Sequence, residues 1–156
     1  KMNNRNDVPG YGYQIAKGAT ALTESWLAAP IVSNNHFMLG HLMEWFYAGL
    51  AGIKQTEHSV AYKEIMIKPE VVGDVTNAKA SFESPYGLIK SEWVKTTSSF
   101  NLQLQIPANS TAVVCLPAKN GQPVLQNGKK ATAVYANGRA VVKIGSGNYQ
   151  FSVATN

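Results

Sequence analysis

The spacing of apolar residues changes near residue 60. Before it, Leu39, Leu42, Met43, Phe46, Tyr47 and Leu50 recur at steps of three and four, the signature of one helix face. Met38 and Trp45 widen that face. The pattern predicts a nearly enclosed helix over Asn34–Ile53, with Ser33 or Asn34 as its cap and Gly52 near its end. Upstream, Tyr13–Leu27 reads as one helix or two short ones after the turn at Pro9-Gly10.

After residue 60 the period is two. Phe100, Leu102, Leu104 and Ile106 alternate with Asn101, Gln103 and Gln105, the plainest strand in the chain. Glu64–Lys68, Ala80–Glu83, Leu88–Thr96, Thr111–Leu116, Pro123–Gln126, Ala140–Ile144 and Asn148–Val153 are further strands. Turn residues separate them: Ser84-Pro85-Tyr86-Gly87, Pro107-Ala108-Asn109, Asn120-Gly121, Asn127-Gly128, Asn137-Gly138 and Gly145-Ser146-Gly147. Short strands so punctuated predict an antiparallel β-sandwich. The fold class is therefore α+β, with helices over residues 1–60 and a β-sandwich over 61–156. Two helices with so much apolar surface cannot cover it themselves, which points to packing on the sandwich or on a larger helical domain.

Composition narrows the function classes. Of 156 residues, 45% are hydrophobic and 15% charged, which fits a folded chain and not a disordered one. The formal net charge of +5 raises nucleic-acid binding. The basic residues stand singly, with only Lys129 and Lys130 adjacent, so the clustered stripe that grips phosphates is missing. Cys115, the single cysteine, sits in the apolar run Ala112–Leu116 and reads as an inert core thiol; no internal disulfide can form. The longest apolar run, Phe37–Ile53, contains His41 and Glu44 and three glycines, so no membrane span is expected. No signal peptide is visible, and Lys1–Asp7 begins abruptly, as an internal segment would.

Few residues offer chemistry. Glu24 stands two positions before Trp26, a proton acceptor beside an aromatic face able to hold a sugar ring; the alternative is a solvated carboxylate and a core indole. His36 follows twelve residues after Glu24, with Pro30 bending the link, so a helix–loop–helix can bring both to one rim. The alternative is a structural histidine at a helix start. Asp7, Tyr11 and Tyr13 form a polar-aromatic group that otherwise reads as a surface turn. His41 and Glu44, three apart, suit a mutual hydrogen bond, and Glu44 reads as a buried, partnered carboxylate. Glu57 and His58 read as exposed linker. No metal-ligand spacing, phosphate loop or nucleophile elbow is present, so metal: none and cofactors: none are the expectations.

Taken in order, Pro9-Gly10-Tyr11-Gly12-Tyr13, Gly18-Ala19-Thr20 through Glu24-Ser25-Trp26, Asn34-Asn35-His36 through Gly40, Glu44-Trp45-Phe46-Tyr47, Ala51-Gly52-Ile53, Ile65–Pro69, Ser84-Pro85-Tyr86-Gly87 and Ser91-Glu92-Trp93 resemble the C-terminal part of bacterial α-L-rhamnosidases. The resemblance covers about residues 7–117 and rests on order and spacing rather than on one motif. It implies helices from the end of an (α/α)6 catalytic barrel followed by an antiparallel β-sandwich. It implies an inverting glycoside hydrolase that removes terminal α-L-rhamnose from plant glycans or glycosides, secreted or periplasmic. Glu24 would be the general base, His36 would hydrogen-bond sugar hydroxyls, and Trp26 would belong to the aromatic wall. The general acid would precede residue 1, leaving this chain inactive alone. Two positions depart from the family pattern. Thr23 stands where an aromatic usually precedes the base, and Leu27–Ser33 is a short apolar link where many members carry a longer loop. Both bear on the aglycone preference.

The implied partners are a rhamnose-containing glycan, the rest of the catalytic domain, and a second copy through the exposed helical surface; no nucleic acid is expected. A second function class remains, a non-catalytic sandwich that binds carbohydrate or braces the barrel. Tyr86, Trp93 and Tyr149 are its candidate sugar-binding aromatics, with core packing as the alternative.

Overall fold

A computed structural model describes residues 5–27 and 29–155. Lys1–Asn4 of the polar opening segment and Ala28 of the link Leu27–Ser33 lie outside the described residues. Contacts divide the chain into two compact units, Lys1–Trp45 and Phe46–Asn156.

The first unit has little regular structure. Helix α1 covers only Tyr11–Ala16, shorter than the helix expected over Tyr13–Leu27. Gly18 stops it. At φ +81° it supports a closing pair of hydrogen bonds, Gly18 N to Ile15 O at 2.9 Å and Ala19 N to Gln14 O at 3.0 Å. This Schellman geometry uses up the last carbonyls and turns the chain away. The long helix expected over Asn34–Ile53 is also broken up. Met38–His41 is a 3-10 turn, α2 is Leu42–Trp45, and Phe46–Leu50 is a π-helical turn that begins the second unit. Neither Ser33 nor Asn34 caps it, because Met38–His41 starts from Phe37 without a side-chain cap. The nearly enclosed surface is not found either: Phe37 is 87% exposed and Met43 56%. Regular three- and four-residue spacing marks a face that needs covering, and in a helix so short it cannot say what covers it.

In the second unit eleven strands form two sheets. They are β1 Ile53–Gln55, β2 Glu64–Ile67, β3 Asn77–Ser84, β4 Gly87–Lys95, β5 Ser99–Ile106, β6 Thr111–Leu116, β7 Val124–Gln126, β8 Lys129–Lys130, β9 Val134–Ala136, β10 Arg139–Ile144 and β11 Gly147–Ala154. One sheet has the order β1-β2-β6-β10-β9 and the other β3-β4-β5-β11-β7-β8. All pairings are antiparallel except β2 with β6, which is parallel. Alternate residues of both sheets meet in one core, among them Ile65, Ile67, Val114 and Leu116 from the first and Trp93, Phe100, Leu102 and Phe151 from the second. Each such side chain contributes ~1.5–3 kcal/mol relative to exposure. Asn127-Gly128 and Asn137-Gly138 carry positive φ at both positions between paired strands, the two-residue turn whose twist suits a hairpin.

The sandwich also secures the turn Phe46–Leu50. Four successive carbonyls at its end are each taken by a donor from the strands or their loops. Gly49 O accepts from Glu70 N at 3.0 Å, Leu50 O from Trp93 Nε1 at 2.8 Å, Ala51 O from Ser91 Oγ at 2.7 Å and Gly52 O from Lys68 N at 2.8 Å. A helix end leaves such carbonyls orphaned, and here none of the four goes unpaired. Gly52, at φ +78°, then turns the chain into β1, so Ile53 begins a strand instead of ending a helix.

Candidate functional site

Glu24 sits outside regular structure, in a segment held by backbone hydrogen bonds. Glu24 N donates to Ser33 O at 2.8 Å, and His36 N donates to Leu22 O at 2.8 Å. Segments 22–24 and 33–36 therefore run antiparallel across two rungs, despite the Pro30 bend between them. The Glu24 side chain is exposed, and its Oε2 accepts from Ser33 N at 3.1 Å. One carboxylate oxygen is thus tethered, while Oε1 has no hydrogen-bond partner among the described residues. Thr23, beside it, is 1% exposed, and its Oγ1 donates to Ser25 O at 2.6 Å. An aromatic in its place would need room that a buried, hydrogen-bonded threonine does not occupy.

His36 is half-buried. Its Nδ1 accepts from Met38 N at 3.1 Å, which fixes the ring, and among the described residues Nε2 makes no hydrogen bond. The ring also stacks on Phe37, with centroids 5.3 Å apart. Trp26 is half-buried and takes the edge of Tyr11 at 5.0 Å, the rings inclined at 76°. The Tyr11 hydroxyl donates to Leu39 O, and burial pushes its pKa up. Tyr11 thereby ties α1 to the turn Met38–His41, and the close path of the chain explains the glycines around it. A Cβ on Gly10 would lie 2.4 Å from Arg5 O, and one on Gly12 2.4 Å from Asn6 Oδ1.

Other candidates fall elsewhere. Asp7 is held by Arg5 through two charge-assisted bonds, Nε to Oδ1 at 2.7 Å and Nη2 to Oδ2 at 2.5 Å, and this pairing lowers its pKa. Glu44 is not buried: its side chain is 73% exposed, 3.6 Å from His41 Nε2. The spacing of three does bring the two together, but on an exposed turn where the pair is worth little. Cys115 is buried, and desolvation raises its pKa while the Arg139 cation opposes that. Trp93 is a fully buried core residue, and Lys63 Nζ lies 5.0 Å over the Tyr86 ring. Trp93 therefore offers no free aromatic face. No metal-binding group of three or more His, Cys, Asp or Glu occurs among the described residues, nor any helix long and apolar enough to cross a membrane.

A cleft of about 300 Å³ in the same unit is bordered by Tyr11, Gln14, Ile15 and Ala19–Leu22, and none of Glu24, Trp26 and His36 lines it. Gln14, 3% exposed with Nε2 unpaired, was invisible to sequence reading, because its burial depends on the path of residues 17–22. The clamp on Glu24 was equally hidden, since it comes from the backbone of Ser33.

Two family models match the chain. Residues 1–50 match the family model for the bacterial alpha-L-rhamnosidase 6 hairpin glycosidase domain, and residues 52–131 that for the bacterial alpha-L-rhamnosidase C-terminal domain. An alpha-L-rhamnosidase of Streptomyces avermitilis is 32% identical over 98% of this chain, and one of Alteromonas sp. is 27% identical over 96%. Solved structures agree. The alpha-L-rhamnosidase from Dictyoglumus thermophilum superposes with a TM-score of 0.87 at 28% identity over 97% of the chain. The Streptomyces avermitilis enzyme complexed with L-rhamnose gives 0.85 at 33% identity, also over 97%. The chain spans 15–18% of the length of these proteins.

Proposed function

Because this chain belongs to the bacterial α-L-rhamnosidases, we propose that it forms the end of an enzyme that hydrolyses terminal α-L-rhamnosyl bonds with inversion, and that Glu24 is the general base. The observation that carries the reading is the tethered but exposed carboxylate of Glu24, one oxygen held by Ser33 N and the other open. His36, at the next rung of the paired segment, has one ring nitrogen fixed and the other available to a sugar hydroxyl. Trp26 supplies an apolar wall braced by Tyr11.

In this reading Glu24 takes a proton from water, and the water oxygen bonds to the anomeric carbon on the face opposite the leaving group. The glycosidic C–O bond breaks as an acid protonates the departing oxygen. That acid lies outside this chain, roughly 6.5–9.5 Å from Glu24 so that a water fits between. The chain by itself therefore lacks turnover. The sandwich braces the turn Phe46–Leu50 through its four carbonyl contacts and takes no part in chemistry. A secreted or periplasmic location goes with a glycan substrate.

The test is Glu24→Gln in the intact parent enzyme, with an α-L-rhamnosyl disaccharide as substrate. The rate should fall by at least ~10²-fold, typical of a lost general base. Proton NMR of early wild-type product should show β-L-rhamnose before mutarotation. Full activity in the variant, or α-L-rhamnose as first product, overturns the assignment.

A further inference from the structure

The outer face of the six-stranded sheet carries a cleft of about 430 Å³, bordered by residues of β4, β5 and β11 and by Asn127 of the β7–β8 turn. We infer that this cleft binds a neutral oligosaccharide chain laid across the three strands. The inference is independent of the role of Glu24.

The register builds the site. Lys90 pairs with Gln105, and Gln105 with Asn148; Glu92 pairs with Gln103, and Gln103 with Gln150. Because strand residues alternate between faces, these six side chains share one face as two parallel rows running across the strands. Successive groups in a row stand at the strand spacing of about 4.8 Å, close to the repeat of a pyranose chain. The β7–β8 turn closes one side. Asn127 N donates to Gln150 O at 2.8 Å, and Gln150 N donates to Asn127 Oδ1 at 2.9 Å, so the turn is latched against β11.

The chemistry of the rows selects the ligand. Among the described residues, the side chains of Gln103, Gln105, Asn148 and Gln150 have no protein hydrogen-bond partner, and Lys90 has no ion pair. Each amide offers two donors and an acceptor. The one carboxylate, Glu92, is already paired with Lys79 at 3.1 Å. A floor of amides with a single unpaired charge suits many hydroxyls, each both donor and acceptor, and suits neither a polyanion nor an apolar surface. Most exposed strand faces are polar merely to meet water, often with charged residues. Here four amides stand in register on the adjacent strands β5 and β11, beside Lys90 and Glu92 of β4 and with the β7–β8 turn along one side. Tyr149 is half-buried and alternates along β11 with Asn148 and Gln150, which puts it on the other face of the sheet, so the chain would lie in the groove by hydrogen bonds rather than stack on an aromatic.

Native affinity electrophoresis of the full 156-residue chain, in gels containing xyloglucan, galactan or arabinan, tests this. At least one polysaccharide should retard the protein. The double variant Gln103→Ala/Gln150→Ala, at exposed positions, should keep its melting temperature and lose roughly tenfold in affinity, two modest hydrogen bonds' worth. Glu24→Gln should leave retardation unchanged. Side-chain amide NMR signals of Gln103, Gln105, Asn148 and Gln150 should shift on adding the oligosaccharide from the retarding polymer. No retardation in any gel, retardation unchanged in the double variant, or shifts confined to residues 5–45 overturns the inference.

Discussion

Replacing Gly52 by alanine would set a methyl group 2.2 Å from the backbone nitrogen of Pro69 and 2.4 Å from the carbonyl carbon of Lys68. Ordinary contact needs ~3.5–4.0 Å, so the two backbone segments must part by more than ~1 Å. They are held together there by the Gly52 O to Lys68 N bond at 2.8 Å and by the pairing of Ile53 with Ile67. Two effects add. A left-handed φ of +78° costs a non-glycine residue ~1–2 kcal/mol, and forced overpacking ~1–3 kcal/mol. The total is ~2–5 kcal/mol. Gly121 separates the two, since it has the same φ of +78° but open space where a Cβ would go. Gly121→Ala should therefore show only the backbone part, ~1–2 kcal/mol. Urea denaturation of the 156-residue chain, followed by tryptophan fluorescence, reads both. Gly52→Ala should lower the unfolding free energy by ~2–5 kcal/mol and Gly121→Ala by only ~1–2 kcal/mol. If the two variants lose the same stability, the close approach of residues 68 and 69 does not constrain Gly52, and the account of how the chain enters β1 is wrong.

Ser91→Ala leaves the buried Ala51 carbonyl without its donor and should cost ~1–3 kcal/mol in the same denaturation experiment; a loss under ~0.5 kcal/mol would mean that the carbonyl finds another partner. The Cys115 thiol, raised by burial, should react with iodoacetamide at pH 8 at least ~10-fold more slowly in the native chain than in urea, and an equal rate would contradict its burial. Its folded pKa lies above the unfolded one, so its contribution to stability is complete below the unfolded pKa and is lost as pH rises through the folded pKa. In the parent enzyme, His36→Ala should raise KM and lower kcat/KM for rhamnosides at unchanged melting temperature. Activity falling only in step with the folded fraction would make His36 a packing residue.

Local signals in the sequence determined most of the sandwich. Asn-Gly at 127–128 and 137–138 dictated two hairpin turns, because those residues tolerate positive φ at low cost. The alternation of Phe100, Leu102, Leu104 and Ile106 determined which face of β5 is core, because a strand's side chains can only alternate. The types and order of residues around Glu24 and His36 likewise pointed to one family before any geometry was known. What only the tertiary structure decided lies where a residue's state depends on a distant segment. The parallel pairing of β2 with β6 joins residues some fifty positions apart and leaves no mark in either strand. Ile53 carries the helical spacing of its predecessors, yet Lys68, Ser91 and Trp93 take the carbonyls before it and Gly52 turns it into a strand. The exposure of Glu44 depends on how short its helical turn is, and the tether on Glu24 comes from a main-chain N–H that every residue but proline possesses. Sequence specifies side-chain chemistry and local period, whereas burial and backbone partners are set by the segments that the fold brings alongside.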